Sequence, residues 1–235
     1  MKIKLACPEC AAASGGFGTF FVETIRDDGL YTGKCPQAHD LPIATQTLRH
    51  EMLFEIALNA IIDGYHREAV SSFAASVERF FEFAIRVMAS RQKVAAGVYA
   101  DAWKELAKQS ERQLGAYILL CVATFGEMPL LISKRMVDLR NNVIHKGVLP
   151  EKKDALKFGN AAYDVIQGGI QKLRSVCLDD LNKVLTEHVE EIAEKMGNRY
   201  PRSFQVTQTA LNVIEDNSNG DRSFQALLID RGIQR

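Results

Sequence analysis

Residues 66–91 read HREAVSSFAASVERFFEFAIRVMASR. Apolar side chains recur there at the three- and four-residue spacing of an α-helix, and they occupy much of its circumference. Such a helix needs apolar neighbours on most sides, so we expect it at the centre of a helical bundle. The expected core positions are Val70, Phe73, Ala74, Val77, Phe80, Phe81, Ala84, Ile85 and Met88.

Helical patterns also flank this segment, and from Leu41 onward the chain is predicted to be mainly α. Prolines tend to occupy the first turn of a helix, so Pro129 and Pro150 each predict a helix start. The paired glycines Gly168-Gly169 predict a bend or break in the last helix. The expected helices lie at about residues 48–62, 99–112, 113–125, 129–145 and 150–196.

The helix expected before Gly147 ends in Arg140-Asn141-Asn142-Val143-Ile144-His145. An imidazole titrates near neutral pH, so His145 can move a proton to or from a ribose 2′-hydroxyl or a leaving 5′-oxygen. A guanidinium stays charged and can hold a phosphate, and Asn141 shares a helix face with His145. These groups are the ones that RNA cleavage without a metal requires. The alternative is an ordinary surface helix end, where His and Lys favour the helix dipole.

Arg140 to Pro150 resembles the R-N-x-x-x-H signature of HEPN domains, the all-helical family of prokaryotic ribonucleases, toxins and antiphage proteins. Residues 63–83 also look like the long first-half helix of that family, and the resemblance covers roughly residues 45–195. It implies an endoribonuclease site built across a homodimer, which cleaves RNA by 2′-hydroxyl transesterification and leaves a 2′,3′-cyclic phosphate. No catalytic metal is expected.

The resemblance also implies roles for individual residues. His145 would transfer protons, Arg140 would hold the phosphate, and Asn141 would act as a polar positioner. Glu78, on the long helix, would face the motif and orient Arg140 or His145. The alternative for Glu78 is an ordinary surface glutamate paired with a neighbour.

The segment around the motif is basic, although the whole chain has a formal net charge of zero. Residues 130–160 contain seven basic and three acidic side chains, a local excess of +4. A neutral protein needs such a patch to follow a nucleic-acid backbone, but a solvated surface explains the charges equally well. The candidate RNA-binding residues are Lys134, Arg135, Lys146, Lys152 and Lys153.

Cysteines near the N-terminus give a second signal. Cys7-Pro8-Glu9-Cys10 is a CxxC knuckle, and Cys35 and His39 form a CxxxH partner after 24 intervening residues. Between them, residues 18–26 and 30–34 are expected to be two strands of a hairpin whose turn is residues 27–29. Three thiolates and one imidazole predict a structural zinc site of zinc-ribbon type. The alternatives are a redox CxxC pair, or free thiols with an unrelated histidine.

Size and composition limit the remaining possibilities. The 235 residues fit one medium core with a small appendage, and zero net charge argues against a general nucleic-acid coat. No uncharged apolar run approaches about 18 residues, so no membrane-spanning helix is expected. The N-terminus leads into Cys and Pro rather than an apolar signal core, which favours a cytoplasmic location.

The C-terminal tail has a different pattern. Residues 204–211 alternate with period two, residues 217–221 suggest a turn, and residues 223–229 can form a returning strand. We expect either a β-hairpin or a disordered tail there. The predicted organisation is a zinc-ribbon-like segment over 1–43, a HEPN-like helical bundle over 44–199 and a tail over 200–235.

Two functional classes are consistent with this sequence. The first is a metal-independent endoribonuclease, a toxin or antiphage effector, with RNA as substrate and an antitoxin or trigger protein as a further partner. The second is a non-catalytic HEPN and zinc-ribbon module that serves dimerisation and partner or nucleic-acid binding. A zinc enzyme is disfavoured, because protein ligands would fill all four positions of the metal.

Overall fold

The computed structural model describes residues 1–15, 18–195, 203–205, 209–211, 213 and 223–233. The chain forms two compact units. We call Met1–Leu48 with Leu185–Gln208 the N-terminal unit, and Arg49–Val184 with Thr209–Arg235 the helical unit. The prediction of a mainly α protein with a small N-terminal β-sheet region is confirmed.

The N-terminal unit contains short strands and one short helix. Its elements are β1 (Lys2–Ala6), α1 (Pro8–Ser14), β2 (Phe20–Thr24), β3 (Leu30–Lys34), β4 (Asp40–Thr45) and β5 (Ser203–Gln205). The strand at β4 corrects the expectation that the chain turns helical at Leu41. Val and Ile are scarce in this short strand, so its pairing with β3 rather than local propensity decides its conformation.

The strands pair differently from the predicted hairpin. β2 pairs antiparallel with β1, and β3 pairs antiparallel with β4, so β2 and β3 belong to separate sheets. The expected turn is present at residues 27–29, where Gly29 has a φ of 65° and Asp28 binds Arg26. However, one face of the β1–β2 pair is apolar and buried, and it consists of Ile3, Leu5 and Phe21. Burial of this face determines that β2 pairs with β1.

Helices make up most of the rest of the chain. No helix in the described residues is both long and apolar enough to cross a membrane. Besides α1, the described helices are α2 (Arg49–Ile62), α3 (His66–Arg91), α4 (Ala96–Leu106), α5 (Ser110–Phe125), α6 (Lys134–Lys146), α7 (Lys152–Val176), α8 (Leu178–Lys195) and α9 (Phe224–Asp230).

The predicted central helix is confirmed as α3. All nine apolar positions expected in the core are buried. The helix packs against α2, α5, α6 and α7, so neighbours surround most of its circumference. Apolar side chains on most of the circumference are buried by these neighbours, and a narrow, mostly polar stripe from Ser71 to Arg86 stays partly exposed. Helix α3 therefore positions α6, which carries the motif from Arg140 to His145.

Three expectations about the limits of the helices are wrong. The break expected between residues 112 and 113 lies earlier, because α4 ends at Leu106 and α5 begins at Ser110. Helix α6 starts at Lys134 and not at Pro129, because Ser133 adopts the extended conformation of an N-cap residue, with a ψ of 150°. Helix α7 runs without a break through Gly168-Gly169. The interruption comes instead at Cys177, whose φ of −122° ends α7 just before α8 begins.

Gly169 serves packing rather than bending. A Cβ atom at Gly169 would lie 2.4 and 2.6 Å from ring atoms of Phe80, whereas one at Gly168 would meet nothing within 4 Å. Phe80 is fully buried and is held by ring contacts with His50, Phe81 and Tyr117. The ring therefore has little room to retreat from an added methyl group.

This difference gives a matched test. Gly169→Ala is expected to destabilise the helical unit by about 1–3 kcal/mol through overpacking. Gly168→Ala is expected to stabilise it by up to about 1 kcal/mol, since alanine is the better helix former. Urea unfolding followed by circular dichroism measures both, and equal effects of the two variants would rule out the packing role.

The C-terminal residues do not form the predicted hairpin. Residues 203–205 are a strand, but β5 pairs in parallel with β4. The expected returning strand over residues 223–229 is instead helix α9, and the expected turn at 217–221 lies outside the described residues. Helix α9 forms because Ser223 caps it and Phe224, Leu227 and Leu228 bury one helical face.

Candidate functional site

The two knuckles lie at the connections of the two strand pairs. Cys7 follows β1 and is the N-cap of α1, so its sulfur accepts a hydrogen bond of 3.3 Å from the backbone N–H of Cys10. Cys35 and His39 lie in the tight turn between β3 and β4, closed by the bond from Cys35 N to His39 O at 3.2 Å. Each strand pair thus presents two of the four predicted ligands.

The four side chains converge on one point. The possible ligand atoms of Cys7, Cys10, Cys35 and His39 all lie within 4.8 Å of one another. The Nδ1 atom of His39 is 3.6, 3.4 and 3.5 Å from the sulfurs of Cys7, Cys10 and Cys35, in that order. The sulfurs of Cys10 and Cys35 are 3.9 Å apart. These residues are therefore placed to bind a metal ion, as their spacing in the sequence predicts.

The surroundings of the cluster contain two contributors that the sequence patterns did not reveal. The Nε2 atom of His39 is 3.8 Å from a carboxylate oxygen of Glu9, which lies inside the CxxC knuckle. Gly18 is packed so closely that a Cβ atom would lie 2.4 Å from the carbonyl oxygen of Cys7 and 2.5 Å from the amide nitrogen of Ala11. A carboxylate beside the second ring nitrogen is a common way to orient a metal-binding histidine.

The protonation of the thiols differs across the cluster. Burial raises the pKa of Cys7. Burial also acts to raise the pKa of Cys35. Hydrogen bonds from the backbone N–H groups of His39 and Gln37, together with those from the thiols of Cys7 and Cys10, outweigh it and lower the pKa to about 7. In the helical unit, burial raises the pKa of Cys121 to about 11 and also raises that of Cys177. Both of these thiols are buried, as expected for small core residues.

The alternatives to a metal site are only partly supported. The CxxC pair does begin a helix, which is the position of many redox cysteines. The strand before it, however, runs antiparallel to its partner. His39 is not an unrelated residue, because its ring nitrogen lies among three sulfurs.

The second candidate group lies on α6 and α3. Arg140 donates a hydrogen bond of 2.8 Å from Nη2 to Glu78 Oε1, and another of 3.0 Å from Nη1 to Asn141 Oδ1. Glu78 and Arg140 are 62 residues apart in sequence, and the packing of α3 against α6 brings them together. The ion pair is partly exposed, with 26% of the Arg140 side chain and 31% of the Glu78 side chain accessible.

His145 lies in the last turn of the same helix and is exposed. The helix ends at Gly147, whose φ of 69° is the left-handed conformation that glycine adopts readily. Five residues of helix separate Arg140 from His145 by about 7.5 Å along the axis. Within the described residues, the side chain of His145 makes no hydrogen bond or ion pair.

The basic residues are divided between the two ends of α6. Lys134 and Arg135 lie in its first turn and Lys146 in its last, about 18 Å away along the axis. Lys152 begins α7, near Lys146 in sequence, and Lys153 forms an ion pair with Glu151 at 2.7 Å. The five predicted RNA-binding residues therefore do not form one cluster around His145.

No protein-family model, curated protein or solved structure matches this chain.

Proposed function

We propose that the protein is a metal-independent endoribonuclease of HEPN type, a toxin or antiphage effector that cleaves RNA by 2′-hydroxyl transesterification. The observation that carries the proposal is the hydrogen-bonded group of Glu78, Arg140 and Asn141, with His145 exposed near the end of the same helix. Glu78 and Asn141 hold one edge of the guanidinium. Its remaining N–H groups have no partner in the described part of the chain and are available to a phosphate.

The reaction needs two proton transfers. A base takes the proton of the 2′-hydroxyl as its oxygen attacks the phosphorus, and an acid protonates the leaving 5′-oxygen. A single imidazole cannot be both at once, so we propose that two copies of His145 meet across a two-fold axis. Arg140 then stabilises the negative charge that builds on the phosphate.

Exposed apolar side chains next to the motif support a homodimer. Val137 on α6 is 41% exposed, and Val148 and Leu149, directly after the helix, are 47% and 80% exposed. Leu130, shortly before α6, is 59% exposed. Val148 and Leu149 are adjacent in sequence and follow His145 closely, and neighbouring exposed apolar side chains are typical of surfaces that another protein covers. A second copy that covered them would also bring the second His145 close to the first.

The test is cleavage of total RNA by the purified chain in excess EDTA, with bound zinc measured before and after. Wild type is expected to cleave and to leave 2′,3′-cyclic phosphate ends. His145→Ala is expected to be slower by at least about a hundredfold, the usual contribution of a general acid or base. His66→Ala removes a histidine outside the motif and is expected to cleave like wild type.

Three results would contradict this proposal. If His145→Ala cleaved RNA at the wild-type rate, His145 would not be the proton-transfer residue. If cleavage required added magnesium, the reaction would not be metal-independent. A zinc-loaded wild type that cleaves nothing would favour the non-catalytic module. Sedimentation analysis of each variant must show the oligomeric state of wild type, because loss of the dimer would mimic loss of the catalytic residue.

We also propose that Cys7, Cys10, Cys35 and His39 hold a structural zinc ion. Tetrahedral zinc, with bonds of about 2.3 Å to sulfur and 2.0–2.1 Å to nitrogen, requires edges of about 3.8 Å between sulfurs and 3.6 Å between sulfur and nitrogen. The distance of 3.9 Å between the sulfurs of Cys10 and Cys35 and those of 3.4–3.6 Å from His39 agree with these values, and all four ligand atoms lie within 4.8 Å of one another. With all four ligands from protein, the metal would stabilise the fold and take no part in the chemistry.

A further inference from the structure

The β1–β2 pair has one buried face and one exposed face. In the antiparallel register, Lys2 lies opposite Thr24, Lys4 opposite Val22, and Ala6 opposite Phe20. These six residues share the outer face, because successive side chains of a strand alternate between the two sides of a sheet. The other face carries Ile3, Leu5 and Phe21, all buried.

The outer face exposes an aromatic ring beside two positive charges. Phe20 and Val22 are each 52% exposed, and Lys2 and Lys4 are exposed as well. Lys4 is the diagonal neighbour of Phe20 across the strand pair, within reach of a long side chain. None of the six residues is acidic, and Glu23, the acidic residue of β2, belongs to the opposite face.

We infer that this face binds a single-stranded nucleic acid. A ring that half projects into water offers a flat surface for an unpaired base, and every base can stack on it. Lys2 and Lys4 are about 7 Å apart along the strand, comparable with the spacing of successive phosphates on an extended strand. Positive charge on a face whose six residues include no acid suits a polyanion. The inference does not depend on RNA cleavage, since binding here needs neither Arg140 nor His145.

The test is fluorescence anisotropy with the full-length protein and a labelled 12-nucleotide 2′-O-methyl RNA, which 2′-hydroxyl attack cannot cleave. Phe20→Leu is expected to lower affinity about fivefold to a hundredfold, the loss of one stacked base, while Phe20→Trp is expected to retain it. Because leucine keeps an apolar side chain without a ring, this pair separates stacking from general hydrophobic contact. Tyr65→Ala removes an exposed aromatic ring elsewhere and is expected to bind like wild type.

The lysines are tested through the salt dependence of binding. The logarithm of the association constant falls linearly with the logarithm of the salt concentration. The double variant Lys2→Ala/Lys4→Ala is expected to reduce the magnitude of this slope by about 1.4, since each lost phosphate contact on a single strand contributes about 0.7. The control is Lys104→Ala/Lys108→Ala, which removes two exposed lysines on or just after α4 and so changes the net charge by the same amount. It is expected to leave the slope unchanged. A single-stranded DNA of the same sequence is expected to bind, and an RNA duplex of equal length is expected to bind less tightly.

Several outcomes would overturn the inference. Among the variants, they are equal affinity of wild type and Phe20→Leu, or an equal fall in the salt slope for both double-lysine variants. For wild type, they are tighter binding of the duplex than of the single strand, or no binding of any oligonucleotide. Phe20, Lys2 and Lys4 lie outside the group of Glu78, Arg140, Asn141 and His145 and the probe cannot be cleaved, so the results with these variants do not bear on the proposed ribonuclease reaction.

Discussion

Replacing Cys35 with Ser is expected to abolish tight zinc binding and to unfold the part of the N-terminal unit that surrounds the cluster. The sulfur of Cys35 lies 3.9 Å from that of Cys10 and 3.5 Å from His39 Nδ1, so its loss leaves at most three ligands. Within the described residues, the sheets of this unit contain two and three strands, at or below the smallest size that is stable alone. Structural zinc contributes about 10–16 kcal/mol to comparable small folds.

Zinc content after dialysis measures the first effect, and limited proteolysis of residues 1–48 measures the second. Wild type is expected to retain one zinc ion per chain, and cobalt in its place is expected to give the visible spectrum of a tetrahedral thiolate site. Cys121→Ala removes a buried thiol outside the cluster and is expected to leave zinc binding intact. A wild type that takes up neither metal, with Cys7 and Cys10 instead forming a disulfide, would favour the redox alternative.

Replacing Glu55 with Ala is expected to destabilise the helical unit by about 1–3 kcal/mol, the usual cost of removing the acceptor from hydrogen-bonded donors that are partly or fully buried. Glu55 is 3% exposed, although the Arg231 side chain is 31% exposed, and the two Glu55 oxygens accept hydrogen bonds from Arg231 at 2.7 and 2.8 Å. One of them also accepts a bond of 2.6 Å from the backbone N–H of Ala210. The substitution leaves the guanidinium and this N–H without their acceptor, and helix α9 loses its polar attachment to α2.

Chemical denaturation measures the loss, and hydrogen exchange of residues 224–230 shows whether α9 opens first. Glu82→Ala is the matched control, because Glu82 pairs with Arg79 at 2.6 Å but both side chains are about 30% exposed. A pair open to solvent is worth about 1 kcal/mol or less. If the two variants lost equal stability, the buried carboxylate of Glu55 would not be what holds the C-terminal helix in place.

Much of the helical fold can be predicted because its signals are local. The apolar spacing in α3 identified a central helix and every one of its nine proposed core residues, since residues three and four apart share a face in any helix. Gly147 marked the end of α6 because its left-handed conformation suits glycine. The four cysteine and histidine positions were recognisable from their spacing, which reflects the size of a metal knuckle.

Strand pairing and the short C-terminal helix were not predictable in the same way. A strand of five residues fits several partners, and β2 pairs with β1 because both bury the same apolar face. The segment Phe224–Asp230 is too short for its periodicity to separate helix from strand. Packing decides its conformation, because Phe224 enters an aromatic cluster with Phe54, Phe73 and Tyr163.

The sequence by itself determined the positions of the central helix, the motif from Arg140 to His145 and the four possible metal ligands. Only the tertiary structure decided which distant residues meet. It joins Glu78 to Arg140, buries Glu55 against Arg231, and sets Lys4 beside Phe20 on one exposed face. The physical reason is that a helix or knuckle depends on residues a few positions apart, whereas these contacts depend on how whole elements pack and pair.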